Sequence, residues 1–337
     1  MITLKYIFPF LLSLLLISLL IKYASKISIV DIPNSRSMHK KTTPKSGGLG
    51  FISALFIFFL LFELDLFLDH IYMFTSIALI FVVGFWDDFK YLKPKNKFLA
   101  IALATLFLYF DGIYIDSLGI YFGSNLELFY LALPFTIFVV SGFTNALNLI
   151  DGLDALAAGI SIVILGTFAF IGIIYEDMLI FTLSISSISV LLAFMIFNYS
   201  PAKIFMGDSG SLTIGFIISI VAILSIKYIH PVIILYFCAI PIIDTLVVMF
   251  RRINQNCSPF MADKTHIHHI LYRFFKDTKQ SAIFLILIQI LFCFLGYVVA
   301  RHIELYPNGL FPLAMIFTFF ILLIMSYMIF TAILRES

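Results

Sequence analysis

The chain has 337 residues; 62% of them are hydrophobic, only 12% are charged, and the mean hydropathy is +1.10. This composition excludes a soluble globular domain and defines a polytopic membrane protein. The formal net charge of +2 says little; the distribution of the charges says more.

Residues 4–24 form the first apolar span. No small-residue cleavage site follows it, so it reads as a retained anchor rather than a signal peptide. Further spans fall at 49–64, 70–86, 98–110, 126–143, 152–174, 178–197, 209–226, 231–250, 281–300 and 309–333, which makes eleven. Span 98–110 is short against the roughly 20 residues a crossing helix needs. Residues 1–337 are expected to form one integral membrane unit. With the N-terminus outside, 18 of the 21 Lys and Arg lie in inner segments, and only Lys5, Lys227 and Arg301 lie in outer ones. The positive-inside rule therefore predicts this orientation, with the C-terminus in the cytoplasm. Cys238, Cys257 and Cys293 form no CxxC pair and read as inert packing residues.

In this topology every polar cluster falls on the cytoplasmic face. The first inner loop, DIPNSRSMHKKTTPKSGG (31–48), carries Arg36, His39, three Lys and Gly47-Gly48. Paired glycines let backbone N–H groups approach an anion closely, whereas the lysines alone read as an ordinary inner loop. The second inner loop opens on Asp87-Asp88. Acids at a helix C-terminus face the negative end of its dipole, which implies a cation or a proton-accepting role. Lys97 follows at the start of the next span, where on its own it reads as a snorkelling lysine.

The stretch NALNLIDGLDALAAG (Asn145 to Gly159) is the densest in polar groups. Asn148, Asp151 and Asp154 are spaced by three, so a helix would align them on one face, a donor set for a hard cation such as Mg²⁺ and a polar substrate. One Asp alone would read as a helix cap. In FNYSPAKIFMGDSGS (197–211), Phe205, Gly207 and Asp208 crowd the start of the eighth span. There Asp208 alone would be an N-cap, and a glycine-bearing helix start can bind phosphate. Asp244 lies about two turns before Arg251, roughly 10 Å inside the boundary, and is expected to face a polar interior. The 251–280 loop carries His266, His268 and His269. With Asp263 they could ligate zinc, although no cysteine partner and no HExxH supports that; histidines also serve as donors to oxygen anions.

Carboxylates, bases and glycine-rich turns gathered on one membrane face are the parts that phosphoryl transfer uses. Such a site suggests one lipid and one soluble substrate. A lipid-phosphate carrier and a zinc metalloenzyme are the other readings.

The ordered motifs DxPxxRxxH…GG, DD, NxxNxxDGxD, FxGDxG, PxxD and HxHH, running from Asp31 to His269, resemble the polyprenyl-phosphate N-acetylhexosamine-1-phosphate transferase superfamily. The likeness is to the WecA/TagO branch, related to the phospho-N-acetylmuramoyl-pentapeptide transferase. It implies an all-α polytopic protein of about 10–11 transmembrane helices in the bacterial inner membrane, with cytoplasmic active-site loops. The implied reaction moves a sugar 1-phosphate from a UDP-N-acetylhexosamine to undecaprenyl phosphate, releases UMP and uses Mg²⁺, for which Mn²⁺ can substitute. No nucleic acid is implied as a partner, and a homodimer is one assembly the resemblance allows.

Carried over residue by residue, Asp208 matches the superfamily's Mg²⁺ ligand and Asn148 a metal-ligating amide. Asp87 and Asp88 match the acidic pair near the reacting phosphates, with Asp87 a proposed base that an already ionised phosphate hardly needs. Lys97 matches a phosphate contact. Asp154 and Phe205 match the uracil pocket as hydrogen-bond partner and stacking face, and Asn198 lines it. Asp151 matches an active-site acid. Arg36, His39 and Gly48 belong to the substrate-binding first loop. His266, His268 and His269 match the loop that covers the sugar or diphosphate, with His268 counted among the catalytic groups. Two departures stand out. The run His266-Ile267-His268-His269 replaces three consecutive histidines, which points to a simple UDP-N-acetylhexosamine donor. Ala155 stands where many members have Gly and is expected to tighten packing. N-acetylglucosamine is the default sugar; N-acetylfucosamine, N-acetylquinovosamine and N-acetylmuramoyl-pentapeptide are alternatives.

Overall fold

The computed structural model describes residues 4–27, 30–31, 42–258, 265–305 and 310–336. Helix α1 (Ile7–Ile27) precedes a two-residue strand β1 (Val30–Asp31), which pairs antiparallel with β2 (Thr43–Pro44). Helices α2 (Gly47–Phe62), α3 (Leu64–Asp69), α4 (Ile71–Phe89) and α5 (Pro94–Phe110) follow. A hairpin of β3 (Ser117–Tyr121) and β4 (Ser124–Glu127) leads through a 3-10 turn, Phe129–Leu131, into α6 (Ala132–Ile150). Next come α7 (Leu156–Ile174), α8 (Met178–Asn198) and α9 (Asp208–Ser225). The chain ends with α10 (Val232–Phe237), α11 (Ala239–Asn254), α12 (Ile267–Phe275), α13 (Thr278–Leu305) and α14 (Leu310–Glu336).

The architecture is all-α, and the chain is a multi-pass membrane protein. Among the described residues, seven helices are long and apolar enough to cross a bilayer, and the shorter apolar helices Ile7–Tyr23 and Gly47–Phe62 add to them. Nine of the eleven predicted spans fall on these helices; 98–110 lies on α5 and 231–250 on α10 and α11, which are not among them. At the centre stands α9, buried from Ser209 to Ile223 and packed by α2, α4, α6, α7 and α8. Small residues permit this closeness, as they do wherever apolar helices must touch without a hydrophobic drive from water. Gly215 lies against Thr144 of α6, and Gly84 of α4 lies against the backbone of Asp208 and Ser209.

Two spans differ from expectation. The fifth was expected to end at residue 143. Instead α6 continues to Ile150, so Asn145 and Asn148 ride on its last turns and the loop shrinks to residues 151–155. The common helical face expected for Asn148, Asp151 and Asp154 is therefore absent. The ninth span is two helices that meet at Cys238. Pro241 has no N–H and its ring would crowd the carbonyl four residues back, that of Phe237. Buried Gln289 of α13 repairs the break. Its amide donates to the Phe237 carbonyl at 2.8 Å and its oxygen accepts from the Ile240 N–H at 3.0 Å, as backbone in an apolar surround requires.

Candidate active site

The site is assembled where the C-terminal ends of α4, α6 and α8 meet the N-terminal ends of α2, α5, α7 and α9. α4 finishes on Asp87-Asp88-Phe89, and α5 starts with Pro94 in its first turn, a position that suits proline. Lys97, one turn in, directs its ammonium between two carboxylates: 2.6 Å from Asp87 and in direct contact with Asp208 of α9. The other Asp87 oxygen accepts the Leu92 N–H. A snorkelling side chain would reach for water, whereas Lys97 joins three segments of chain.

Asp88 has a different task. Its two oxygens accept the N–H groups of Asp208 (2.8 Å) and Ser209 (3.0 Å), so it caps α9 from another helix. Asp208 is thus the first helical residue rather than its own N-cap. The cap position belongs to Gly207, whose φ of +73° favours glycine and whose missing Cβ leaves room for the Lys45 carbonyl and the Asp88 carboxylate. The N–H groups of Gly210 and Ser211 go to the Gly207 carbonyl. The start of α9 therefore has its donors engaged and offers no open phosphate cradle.

Gly47 and Gly48 also depart from the anion-binding expectation. Their N–H groups donate to the carbonyls of Phe205 (3.0 Å) and Met206 (2.8 Å). A Cβ on Gly48 would overlap the backbone of Gly210 and the Ser209 hydroxyl. Gly48 is a close-packing residue of the α2–α9 seam, with its N–H already engaged.

The loop after α8 is fastened from several sides. Asn198 accepts the Ala155 N–H and donates to the Ile204 carbonyl, each at 2.8 Å. Asp154 accepts the Ala202 N–H at 3.1 Å, and Phe205 donates its N–H to Pro44 at 2.7 Å. Ala155 does not simply tighten packing: its φ is +64°, in the left-handed region where glycine is less strained, and its bond to Asn198 holds it there. Asn148 donates to Ser211 Oγ at 2.8 Å and adjoins Asp208.

Together these elements enclose a cavity of about 360 Å³, lined by Asp31, Lys45, Asp88, Asp151, Gly152, Leu153, Asp154, Asn198, Phe205, Gly207, Asp208, His269 and Thr278. Its size is that of a small-ligand site. Five of the lining side chains are carboxylates against one lysine, so an anionic ligand would need further positive charge to enter. Asp87, Lys97 and Asn148 adjoin Asp208 outside the cavity wall.

Residues 70–226 match the model of the glycosyl transferase family 4. The chain is also 38% identical over 299 residues to a probable undecaprenyl-phosphate N-acetylglucosaminyl 1-phosphate transferase of Bacillus subtilis (strain 168), covering 84% of this chain and 80% of that one. It is 29% identical to the undecaprenyl-phosphate alpha-N-acetylglucosaminyl 1-phosphate transferase of Escherichia coli (strain K12), covering 89% and 84% of the two chains. A Yersinia pestis protein of the latter name is 28% identical, over 88% and 84%. The chain belongs to glycosyl transferase family 4.

In this family 4 chain the three histidines do not act alike. His269 lines the cavity. His266 is buried and holds Asp244 through Nδ1 at 2.7 Å, while the other Asp244 oxygen accepts the Ile267 N–H at 2.6 Å. Asp244 thus meets its expected polar interior by pinning the start of α12. His268 is buried between its neighbours, its Nε2 turned toward Gly152 where a Cβ would strike it and its Nδ1 without a partner. Burial depresses its pKa to about 3, so it is neutral at physiological pH. It packs under the 151–155 turn and is not among the residues that line the cavity, whereas it was expected among the catalytic groups. Among the described residues no three His, Cys, Asp or Glu converge on a metal-sized point. Arg36, His39 and Asp263 lie outside the described residues.

Sequence reasoning passed over Lys45, Thr278 and Leu153 as wall residues. Ser200 Oγ and Thr278 Oγ1 are 3.0 Å apart, which ties the α8–α9 loop to the start of α13. No local motif marks such a pair, because its partners are 78 positions apart.

Asp151 is the C-cap of α6. Burial, then the charges of Asp208, Asp88 and Asp154, raise its pKa from 3.8 to about 7. A raised acid pKa means that folding takes up a proton. The stability linked to Asp151 is complete below pH 4 and is lost as pH rises toward and through 7. Asp151→Asn should therefore melt higher relative to the wild type at pH 8 than at pH 5. A difference between the two proteins that stays constant across that range would contradict this assignment.

Proposed function

We propose that the chain transfers N-acetylglucosamine 1-phosphate from UDP-N-acetylglucosamine to undecaprenyl phosphate, giving a diphosphate-linked lipid sugar and UMP. The observation that carries the proposal is the cavity at one end of the helix bundle, acid-rich and backed by Asp87, Lys97 and Asp208, in a chain related over most of its length to transferases of that name. An oxygen of the lipid phosphate attacks the β-phosphorus of the nucleotide sugar. The bond from that phosphorus to the bridging oxygen breaks, and UMP leaves with the bond's electrons. The attacking phosphate is already ionised, so the step needs no general base. Asp87, held by Lys97 and the Leu92 N–H, then acts through its charge rather than by taking a proton.

Asp208, which lines the cavity, and Asn148 beside it are hard donors that would hold Mg²⁺ from the cavity side, while Lys97 keeps its place between Asp208 and Asp87. Bound there, the metal would neutralise diphosphate oxygens in a site otherwise rich in negative charge. Mn²⁺ suits the same donors. Asp154 and Phe205 flank the expected uracil position, and Asn198 keeps their two loops in register. Asp88 fixes the start of α9, so that Asp208 meets substrate from a rigid turn.

The residues of the site come from helix ends that the charge asymmetry places in the cytoplasm, so we place the cavity at the inner face of the plasma membrane with the N-terminus outside. This is where nucleotide sugars are available. The whole chain acts as one transferase unit, and a homodimer is compatible with this arrangement. The reading is tested with purified protein in detergent, undecaprenyl phosphate and a panel of UDP-N-acetylhexosamines, with UMP measured with and without EDTA. UMP release that is highest with the N-acetylglucosamine donor and lost on chelation is expected. Highest turnover with another sugar moves the donor assignment, and full turnover in EDTA removes the metal from it.

A further inference from the structure

We propose that Lys45 is the side chain that receives substrate phosphate in the cavity, an inference that rests on the function proposed above. Among the described residues it is the one cationic side chain in the cavity wall, facing Asp88, Asp151, Asp154 and Asp208. Lys97 is committed to Asp87 and Asp208. Lys45 is half-buried and makes no ion pair or hydrogen bond with any described residue. With no direct partner among the described residues, its ammonium is available to the phosphate of a ligand that enters this otherwise acidic cavity.

Its main chain is fixed for the purpose. On one side the Pro44 carbonyl accepts the Phe205 N–H; on the other, Gly47 and Gly48 donate to Phe205 and Met206. The Lys45 carbonyl packs directly on Gly207, the residue before Asp208. A lysine anchored next to the stacking face and the proposed metal ligand is pre-placed, so that little ordering remains to be done on binding. The ammonium offers three donors as a point charge, which suits phosphate oxygens in varied geometry. The phosphate could belong to the nucleotide diphosphate or to the lipid; the chemistry is the same, and kinetics separates the two.

The test compares wild type, Lys45→Met and Lys45→Arg with each substrate varied in turn, alongside thermal unfolding of each protein. Lys45→Met should raise KM roughly tenfold for the substrate whose phosphate it holds and change the other KM less than about twofold. Lys45→Arg should keep KM near the wild-type value and so report on charge even if the Met variant were less stable. A raised KM for the UDP-sugar assigns the nucleotide diphosphate; a raised KM for undecaprenyl phosphate assigns the lipid headgroup. Unchanged KM values in Lys45→Met, or an Arg variant as impaired as the Met variant, overturn the inference while leaving the proposed function intact. A wild type that turns over no UDP-sugar overturns both.

Discussion

Asp208→Asn is expected to lower kcat/KM about 10³-fold, equivalent to about 4 kcal/mol of lost transition-state stabilisation, in a protein that still folds. The loss is large because one carboxylate meets several demands. It is paired with Lys97, adjoins Asn148 and lines the cavity. Asn keeps the shape but removes the charge that would hold a divalent cation. Folding should survive, because α9 is capped through the backbone N–H of residue 208 and not through its side chain. UMP release measured beside a thermal melt checks both halves. A variant within threefold of wild type would remove Asp208 from the reaction, and one that fails to fold would show the carboxylate to be structural.

Gly48→Ala carries the largest expected stability effect. The new methyl would overlap the Gly210 backbone and Ser209 Oγ. The backbone there cannot move aside, since the Ser209 N–H is tied to Asp88 and the Gly210 N–H to Gly207. Overpacking against backbone typically costs 1–3 kcal/mol, and here a cost of about 3 kcal/mol is expected, with loss of activity as α2 and α9 part. The control is Gly142→Ala on α6, where a Cβ meets nothing within 4 Å. That variant should melt at or slightly above wild type, because Ala is the better helix former by about 1 kcal/mol. Equal melting temperatures for the two variants would refute the packing argument.

These variants mark where the sequence was readable. The long apolar helices were legible because hydrocarbon forces the chain into helix. The orientation was argued from Lys and Arg placement alone. Asp87, Asp208 and Lys97 could be singled out because charge beside a membrane needs a reason, yet their joining into one cluster is visible only in three dimensions. What misled was polarity without its partner. Asn148 was aligned with Asp151 and Asp154, but it pairs with Ser211 of α9 and its helix ends before the two acids. Gly48 looked like an anion cradle, but its N–H finds the Met206 carbonyl. Asp88 and Asp87 are neighbours in sequence and differ in task, one capping α9 and the other pairing with Lys97. The break at Cys238 was latent in Pro241; its repair by Gln289 depended on a residue 48 positions later. In each case the deciding contact is long-range, and local pattern carries no record of it.

The most direct measurement follows the fate of a label placed in the β-phosphate of UDP-N-acetylglucosamine during incubation with purified protein and undecaprenyl phosphate. Attack at that phosphorus sends the label into the lipid fraction and releases unlabelled UMP in equal amount. Label recovered in UDP, or no transfer from any UDP-N-acetylhexosamine, would contradict the account.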